Sequence, residues 1–191
     1  MLNGPDGVTA TLDLPLLGLH NVRNALAAIA VAHECGLSVE AIRTGLATFR
    51  GVKRRLEVVG EQRGVTVYDD FAHHPTAVAE TIAALRAARP GRRLWALFEP
   101  RSASSCRRIF QADFARAFGG ADQVIIAPVF RSSLPEADRL SVPDLVRDLG
   151  AAGVAARQLP SVDAIVDAIA EGAASGDDVL VMSNGGFGGI H

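Results

Sequence analysis

From residue 51 onward the chain alternates short apolar runs with amphipathic stretches of helical length, an order that few folds accept. The apolar runs are Leu56–Gly60, Val65–Asp69, Leu94–Phe98, Gln123–Ala127, Val154–Leu159 and Val179–Met182. Helical spacing falls between them. Pro75 opens a helix over 75–88 carrying Val78, Ile82 and Leu85, and a second covers 105–118 with Phe110, Phe114 and Phe118. Ser141 with Asp144 resembles a capping box ahead of Leu145, Val146 and Leu149, and Ser161 precedes Val162, Ile165 and Ile169. Strands this apolar, each followed by a helix, predict a parallel sheet covered on both faces. The first two runs are separated only by Glu61-Gln62-Arg63-Gly64, which predicts a hairpin. The expected fold is therefore α/β, a doubly wound and mostly parallel sheet with an N-terminal β-hairpin.

Before residue 51 the period is helical. Val22, Leu26 and Ile29 share a face padded by alanines, and the pattern stops at Gly36. Ser38 then caps a second helix with Val39, Ile42, Leu46 and Phe49. Residues 18–50 read as a helical pair, and with a boundary near residue 51 the expected division is 1–50 and an α/β domain over 51–191. Leu12–Leu17 reads as a short strand, and residues 1–11 as a polar lead-in with a turn at 4–7.

A net charge of −2 gives no electrostatic reason to expect nucleic acid or an anionic membrane surface as partner. Lys53-Arg54-Arg55, Arg92-Arg93 and Arg107-Arg108 read as solvated surface. Cys35 and Cys106 suggest no disulfide framework and are expected as reduced thiols of a cytoplasmic protein, Cys35 within the core. No apolar run approaches the ~18 residues that span a bilayer. His33 is expected on a helix, without a ligand.

Tyr68-Asp69-Asp70-Phe71-Ala72-His73-His74-Pro75-Thr76 carries the densest chemistry. It runs from a strand into a helix start, where α/β sheets place ligands. Loops 69–76, 99–105 and 183–189 all fall at the carboxyl ends of expected strands. Asp69, Asp70, His73 and His74 suit ligand contact, a divalent metal, or a polar helix cap, and spacing alone leaves all three open. Gly185-Gly186-Phe187-Gly188-Gly189 follows the last strand, so it is not a dinucleotide fingerprint. It does allow a substrate to approach the backbone. No phosphate loop, nucleophile elbow or H-E-x-x-H occurs in the chain.

Three stretches, in this order and spacing, resemble the muramyl (Mur) ligases, the ATP-dependent amide ligases of peptidoglycan synthesis. They are Gly18-Leu19-His20-Asn21-Val22-Arg23-Asn24, Gly51-Val52-Lys53-Arg54-Arg55-Leu56-Glu57, and Asp69-Asp70-Phe71-Ala72-His73-His74-Pro75-Thr76. Glu99-Pro100-Arg101-Ser102 and Met182-Ser183-Asn184-Gly185-Gly186-Phe187-Gly188-Gly189-Ile190-His191 bring the resemblance closest to one branch. That branch joins UDP-N-acetylmuramate to L-alanyl-γ-D-glutamyl-meso-diaminopimelate in peptidoglycan recycling.

The resemblance implies that residues 1–50 end a central ATP-binding domain and that 51–191 form the Rossmann-like C-terminal domain. The phosphate loop, the magnesium ligands and the UDP-sugar domain are then expected upstream, and a further helix after His191. It implies that Asn21 and Asn24 face adenine with His20 nearby, and that Arg55 reaches the ATP phosphates. Asp70 is expected on the ribose hydroxyls, His73 or His74 beside the nucleotide, and Arg101, Ser102, Asn184 and Gly185 on the murein tripeptide. ATP and Mg2+ are the implied cofactors. No catalytic residue or metal ligand is expected within this chain, and the chain alone is expected to be inactive. The rivals are the branch that adds L-alanine, a binding module without chemistry, and a metal-dependent hydrolase using Asp69, Asp70, His73 and His74. An oxidoreductase is suggested by fold analogy alone.

Overall fold

Gly18, at φ 91°, turns the chain into a helix, α1 (Leu19–Glu34). The computed structural model describes residues 2–3, 9–130 and 133–191, and α1 belongs to the first of its two compact units, Met1–Lys53. α1 ends at Cys35 and Gly36, the latter at φ 80°, where a Cβ would be strained. Ser38 Oγ accepts the Ala41 N–H at 3.2 Å and starts α2 (Val39–Thr48) as expected. Of the residues in α1 and α2 only Ile42 is buried, while Val22 and Leu26 lie exposed.

Two short strands, β1 (Leu2–Asn3) and β2 (Thr9–Ala10), pair antiparallel; the turn expected at 4–7 lies outside the described residues. The strand expected over Leu12–Leu17 does not form. That segment is irregular, and Pro15 at its middle has no N–H for a ladder. Cys35 is exposed, contrary to the expected core position: it is the C-cap of α1, a helix that buries none of its own residues.

The second unit, Arg54–His191, is built on β3 (Glu57–Gln62) and β4 (Val65–Asp70), an antiparallel hairpin with a bulge between Val58 and Gly60. Its turn is only Arg63-Gly64, with φ of 53° and 77°, the hand that matches strand twist. β5 (Leu94–Phe98), β6 (Gln123–Ile126), β7 (Ala155–Gln158) and β8 (Asp178–Met182) join in parallel, giving the order β3-β4-β8-β5-β6-β7.

Strand alternation explains the two cores. Leu94, Ala96 and Phe98 of β5 pack on one face with Val78, Ile82 and Leu85 of α3 (Pro75–Ala88), Phe114 of α4 (Gln111–Ala117) and Leu145 and Leu149 of α5 (Val142–Ala151). Trp95 and Leu97 pack on the other with Ile165 of α6 (Val162–Gly172), Val179, Val181 and Phe187. The doubly wound, mostly parallel sheet is as the pattern predicted. The helix expected over 105–118 starts later, as a 3-10 turn at Arg108–Phe110 followed by α4. Residues 102–107 are held in a serine-rich turn instead.

Salt bridges stitch the amino ends of the strands. Arg93 bridges Asp177, which also accepts the Trp95 indole N–H at 3.0 Å, and Arg92 Nε lies 3.0 Å from Asp178. Burial pushes the Asp177 pKa up, but Arg93, the Ala174 N–H and Trp95 outweigh it and hold the group below the ordinary carboxylate value. Among the described residues no helix is long and apolar enough to cross a membrane.

Candidate functional site

The carboxyl ends of three neighbouring strands define the site. Asp70 at the end of β4 lies in register with Met182 of β8, which is in register with Phe98 of β5. Loops 71–74, 183–189 and 99–105 therefore leave the sheet side by side, as expected of ligand-binding α/β sheets.

Because side chains alternate along a strand, Asp69 and Asp70 leave β4 on opposite faces. Asp70, 5% exposed, turns toward α3. Its Oδ2 accepts the Leu56 N–H at 2.8 Å; its Oδ1 accepts the Ala72 N–H at 2.8 Å and the Thr81 hydroxyl at 3.4 Å. Burial raises its pKa, and those two N–H groups and Arg55 only partly offset the shift. Asp69 turns the other way. Its Oδ2 takes Arg54 Nε at 2.9 Å, and its Oδ1 lies 3.5 Å from His191 Nε2.

Phe71 gathers the cations. Arg54 and Arg55 stand 5.3 and 5.5 Å from its ring centroid, and His73 meets it edge-on at 5.4 Å. His73 Nδ1 lies 2.9 Å from the Phe71 carbonyl, so Nδ1 carries the proton and Nε2 is the acceptor of the neutral ring. His74 is used differently. It is the N-cap of α3, with Nδ1 accepting the Thr76 N–H at 3.4 Å and its ring 4.9 Å from that of Phe110. The pair thus divides into an imidazole at the site and a helix cap.

On the β5 side, Arg101 is boxed in. Its guanidinium lies 3.8 Å over the Phe130 ring centroid and 3.4 Å from Glu99 Oε1. On its other flank is Gly185, where a Cβ would stand 2.2 Å from Arg101 Cδ and Nε. Ser102 is spent within its own turn: its hydroxyl donates to Ser105 Oγ at 2.8 Å and accepts the Ser105 N–H at 2.9 Å. The Asn184 side-chain oxygen is buried without a hydrogen-bond partner.

The structure thus brings Arg55, Asp70 and His73 together around Phe71, and Arg101, Asn184 and Gly185 together on the next loops. His20, Asn21 and Asn24 share the first turns of α1 in the first unit. There Asn21 Nδ2 donates to the Leu17 carbonyl at 2.7 Å, and His20 Nδ1 is buried without a partner. The four-residue Asp-Asp-His-His reading as a metal centre fails on geometry. Asp69 and Asp70 diverge, His74 caps a helix, and no three His, Cys, Asp or Glu side chains gather into a metal cluster among the described residues.

Arg54, Glu99 and Ser183 lie in the stretches that carry the resemblance, but the sequence assigns none of them a role. Arg54 donates from Nη2 to the Ser183 carbonyl at 2.6 Å, and Ser183 Oγ donates to Glu99. These contacts span 129 and 84 residues, and no local spacing announces them. A cleft of about 510 Å3 lies farther out, beyond β6 and β7, where Arg108 faces Asp144 at 3.6 Å.

Residues 54–185 match the family model described as Mur ligase, glutamate ligase domain. The chain is 41% identical over 183 residues to a UDP-N-acetylmuramate--L-alanine ligase of Chelativorans, covering 94% of this chain and 39% of that protein. It is 42% identical over 178 residues to the UDP-N-acetylmuramate--L-alanyl-gamma-D-glutamyl-meso-2,6-diaminoheptandioate ligase of Escherichia coli, covering 92% and 37%. The crystal structure of a murein peptide ligase from Psychrobacter arcticus superposes with a TM-score of 0.70 at 37% identity, covering 95% of this chain and 37% of that one. The chain spans under two-fifths of the length of these relatives. With the matched model covering most of its length, on the fold and site described above, the chain belongs to the Mur ligase family.

Proposed function

We infer that this chain is the nucleotide-closing and amine-substrate-binding part of an ATP-dependent ligase that joins UDP-N-acetylmuramate to the murein peptide L-alanyl-γ-D-glutamyl-meso-diaminopimelate. The observation that carries the reading is Arg101, a planar cation seated between Gly185 and Phe130 at the mouth of the three loops. A guanidinium held in one plane is a fork for a peptide carboxylate. The relatives include ligases named for L-alanine as well as for the peptide. Addition of free L-alanine is therefore the second reading.

In this proposal residues 1–50 end the ATP-binding domain and 51–191 form the peptide-binding domain. Asn21 and Asn24 pair with the adenine edge, and the unpartnered His20 Nδ1 fits a ligand beside them. Arg55 faces the phosphates, and His73 Nε2 is the imidazole atom offered to the nucleotide. A ribose contact by Asp70 draws on lone pairs left beside its internal bonds. Arg101, Asn184 and Gly185 hold the peptide, while Ser102 shapes the loop that carries Arg101. Magnesium and the phosphate loop belong to the upstream part. The muramyl carboxylate takes the γ-phosphoryl group of ATP with release of ADP. The L-alanyl amine then displaces phosphate from the acyl phosphate, losing a proton as the amide forms; these residues contribute position and charge.

The test restores the upstream part of the protein and supplies UDP-N-acetylmuramate, ATP and magnesium with either L-alanine or the tripeptide. ADP release with a tripeptide adduct by mass is the expected result. An alanine adduct establishes the second reading, and no adduct from folded protein overturns both. The 191-residue chain alone is expected to form no product. In the complete enzyme Gly185→Ala is expected to raise KM for the amine substrate about tenfold or more by displacing Arg101. The melting temperature should stay close to wild type, because the Arg101 side chain is partly exposed and, once displaced, can move toward solvent without opening the core.

A further inference from the structure

We propose that Glu99 is a positioning residue for Arg101, locked in place by Ser183, and that this buried pair sets the geometry with which the site receives a substrate carboxylate. The proposal rests on the reading of Arg101 given above and extends it to two residues that touch no substrate.

Glu99 is 7% exposed and Ser183 fully buried, so both must satisfy their polar atoms internally. Glu99 divides its oxygens: Oε2 accepts the Ser183 hydroxyl, and Oε1 faces Arg101 Nη1 at 3.4 Å. Ser183 Oγ, having given its only proton to Glu99, accepts the Gly185 N–H at 2.9 Å. The same hydroxyl thus orients the carboxylate that holds one edge of Arg101 and the glycine against which Arg101 lies. Ser183 is itself pinned by its backbone. Its N–H donates to the Asp70 carbonyl at 3.1 Å, and its carbonyl accepts Arg54 Nη2 at 2.6 Å. Glu99 is fixed from the same strand, donating its N–H to the Met182 carbonyl at 3.1 Å. The chain of contacts therefore runs from the Asp70 loop through Ser183 and Glu99 to Arg101. An arginine side chain loses much rotamer freedom when its plane is fixed. Holding Arg101 before substrate arrives moves that loss out of the binding step.

The first experiment needs no substrate. In the 191-residue chain, hydrogen exchange of the Arg101 Nε–H is followed by NMR, with the resonance assigned from its absence in Arg101→Lys. Glu99→Gln keeps the shape and an acceptor for Ser183 but removes the charge facing Arg101. Exchange is expected to quicken about tenfold in Glu99→Gln and in Ser183→Ala. Unchanged exchange in both folded variants overturns the proposal. If neither variant folds, the pair serves stability alone and the proposal is likewise overturned.

The second experiment uses the complete enzyme. Glu99→Gln should raise KM for the amine substrate about tenfold while KM for ATP stays put, and should add nothing in an Arg101→Lys background. Additive effects would assign Glu99 a role independent of Arg101. Should the enzyme accept neither L-alanine nor the tripeptide, the functional reading fails, and the exchange result still decides the positioning.

Discussion

Replacing Asp70 with alanine is expected to destabilise the second unit by about 2–5 kcal/mol, since each buried donor left unsatisfied costs about 1–3 kcal/mol. Two such donors are exposed to that loss, the N–H groups of Leu56 and Ala72. The Leu56 bond matters doubly, because Leu56 sits at φ 49° and Arg54 at φ 60°, backbone that side chains disfavour and that only surrounding contacts maintain. Arg54 is held in turn by Glu57 at its N–H and Asp69 at Nε. Asp70→Asn keeps one acceptor oxygen and turns a donor toward the other N–H, so it should fall between alanine and wild type. Urea denaturation of the chain measures this directly. A loss below about 1 kcal/mol for Asp70→Ala would show that Asp70 does not tether the strand entrance.

The same pair of proteins yields a pH signature. Burial raises the Asp70 pKa from 3.8, so the native state holds the proton more tightly than the unfolded chain. The group's contribution to stability is therefore complete below the unfolded value and is lost as pH rises through the raised native one. Wild type should lose stability relative to Asp70→Asn as pH climbs above 3.8 and through the raised native value.

Phe98→Ala is expected to cost about 3–5 kcal/mol, the range for emptying a large buried aromatic site. Phe98 is completely buried at the end of β5, with ring centroids of Phe114 and Phe118 at 5.1 and 5.4 Å. Such aromatic pairs add about 0.5–1.5 kcal/mol beyond area burial. A domain with a total of about 5–15 kcal/mol has little left after that loss. Phe98→Leu should cost far less, because it keeps most of the volume. Equal losses for the two would mean that ring stacking, and not filled space, holds the cluster.

The legible parts of this fold were the local ones. Ser38, Ser141 and Ser161 accept from N–H groups three residues on, and Pro75 opens α3; each signal lies within one helical turn of its effect. The apolar runs named the strands, since β4, β5, β6 and β8 are buried wherever they face a core. The failures have equally local causes: Pro15 breaks the apolar run at 12–17, and the serine turn delays α4. Within the site, Asp69, Asp70, His73 and His74 stood out by residue type and spacing at a strand end, and the family resemblance added Arg101. Their uses did not. Nothing in Asp-Asp shows that one carboxylate binds backbone amides and its neighbour an arginine, and nothing in His-His shows that the second ring caps a helix. Ser183 and Glu99 were hidden by the 84 residues between them.

The placement of β8 has a consequence for how the protein is made. The ladder beside β4 pairs Thr66 with Asp178, and the one beside β5 pairs Leu94 with the same residue. A ribosome releases β4 and β5 long before the strand that belongs between them. Until then each presents an open edge, and the two cannot bond to one another at native spacing. Closure over so long a loop is slow relative to local structure. The nascent domain therefore waits with two sticky edges and one vacant slot, a state in which another strand of similar hydrophobicity competes for the gap.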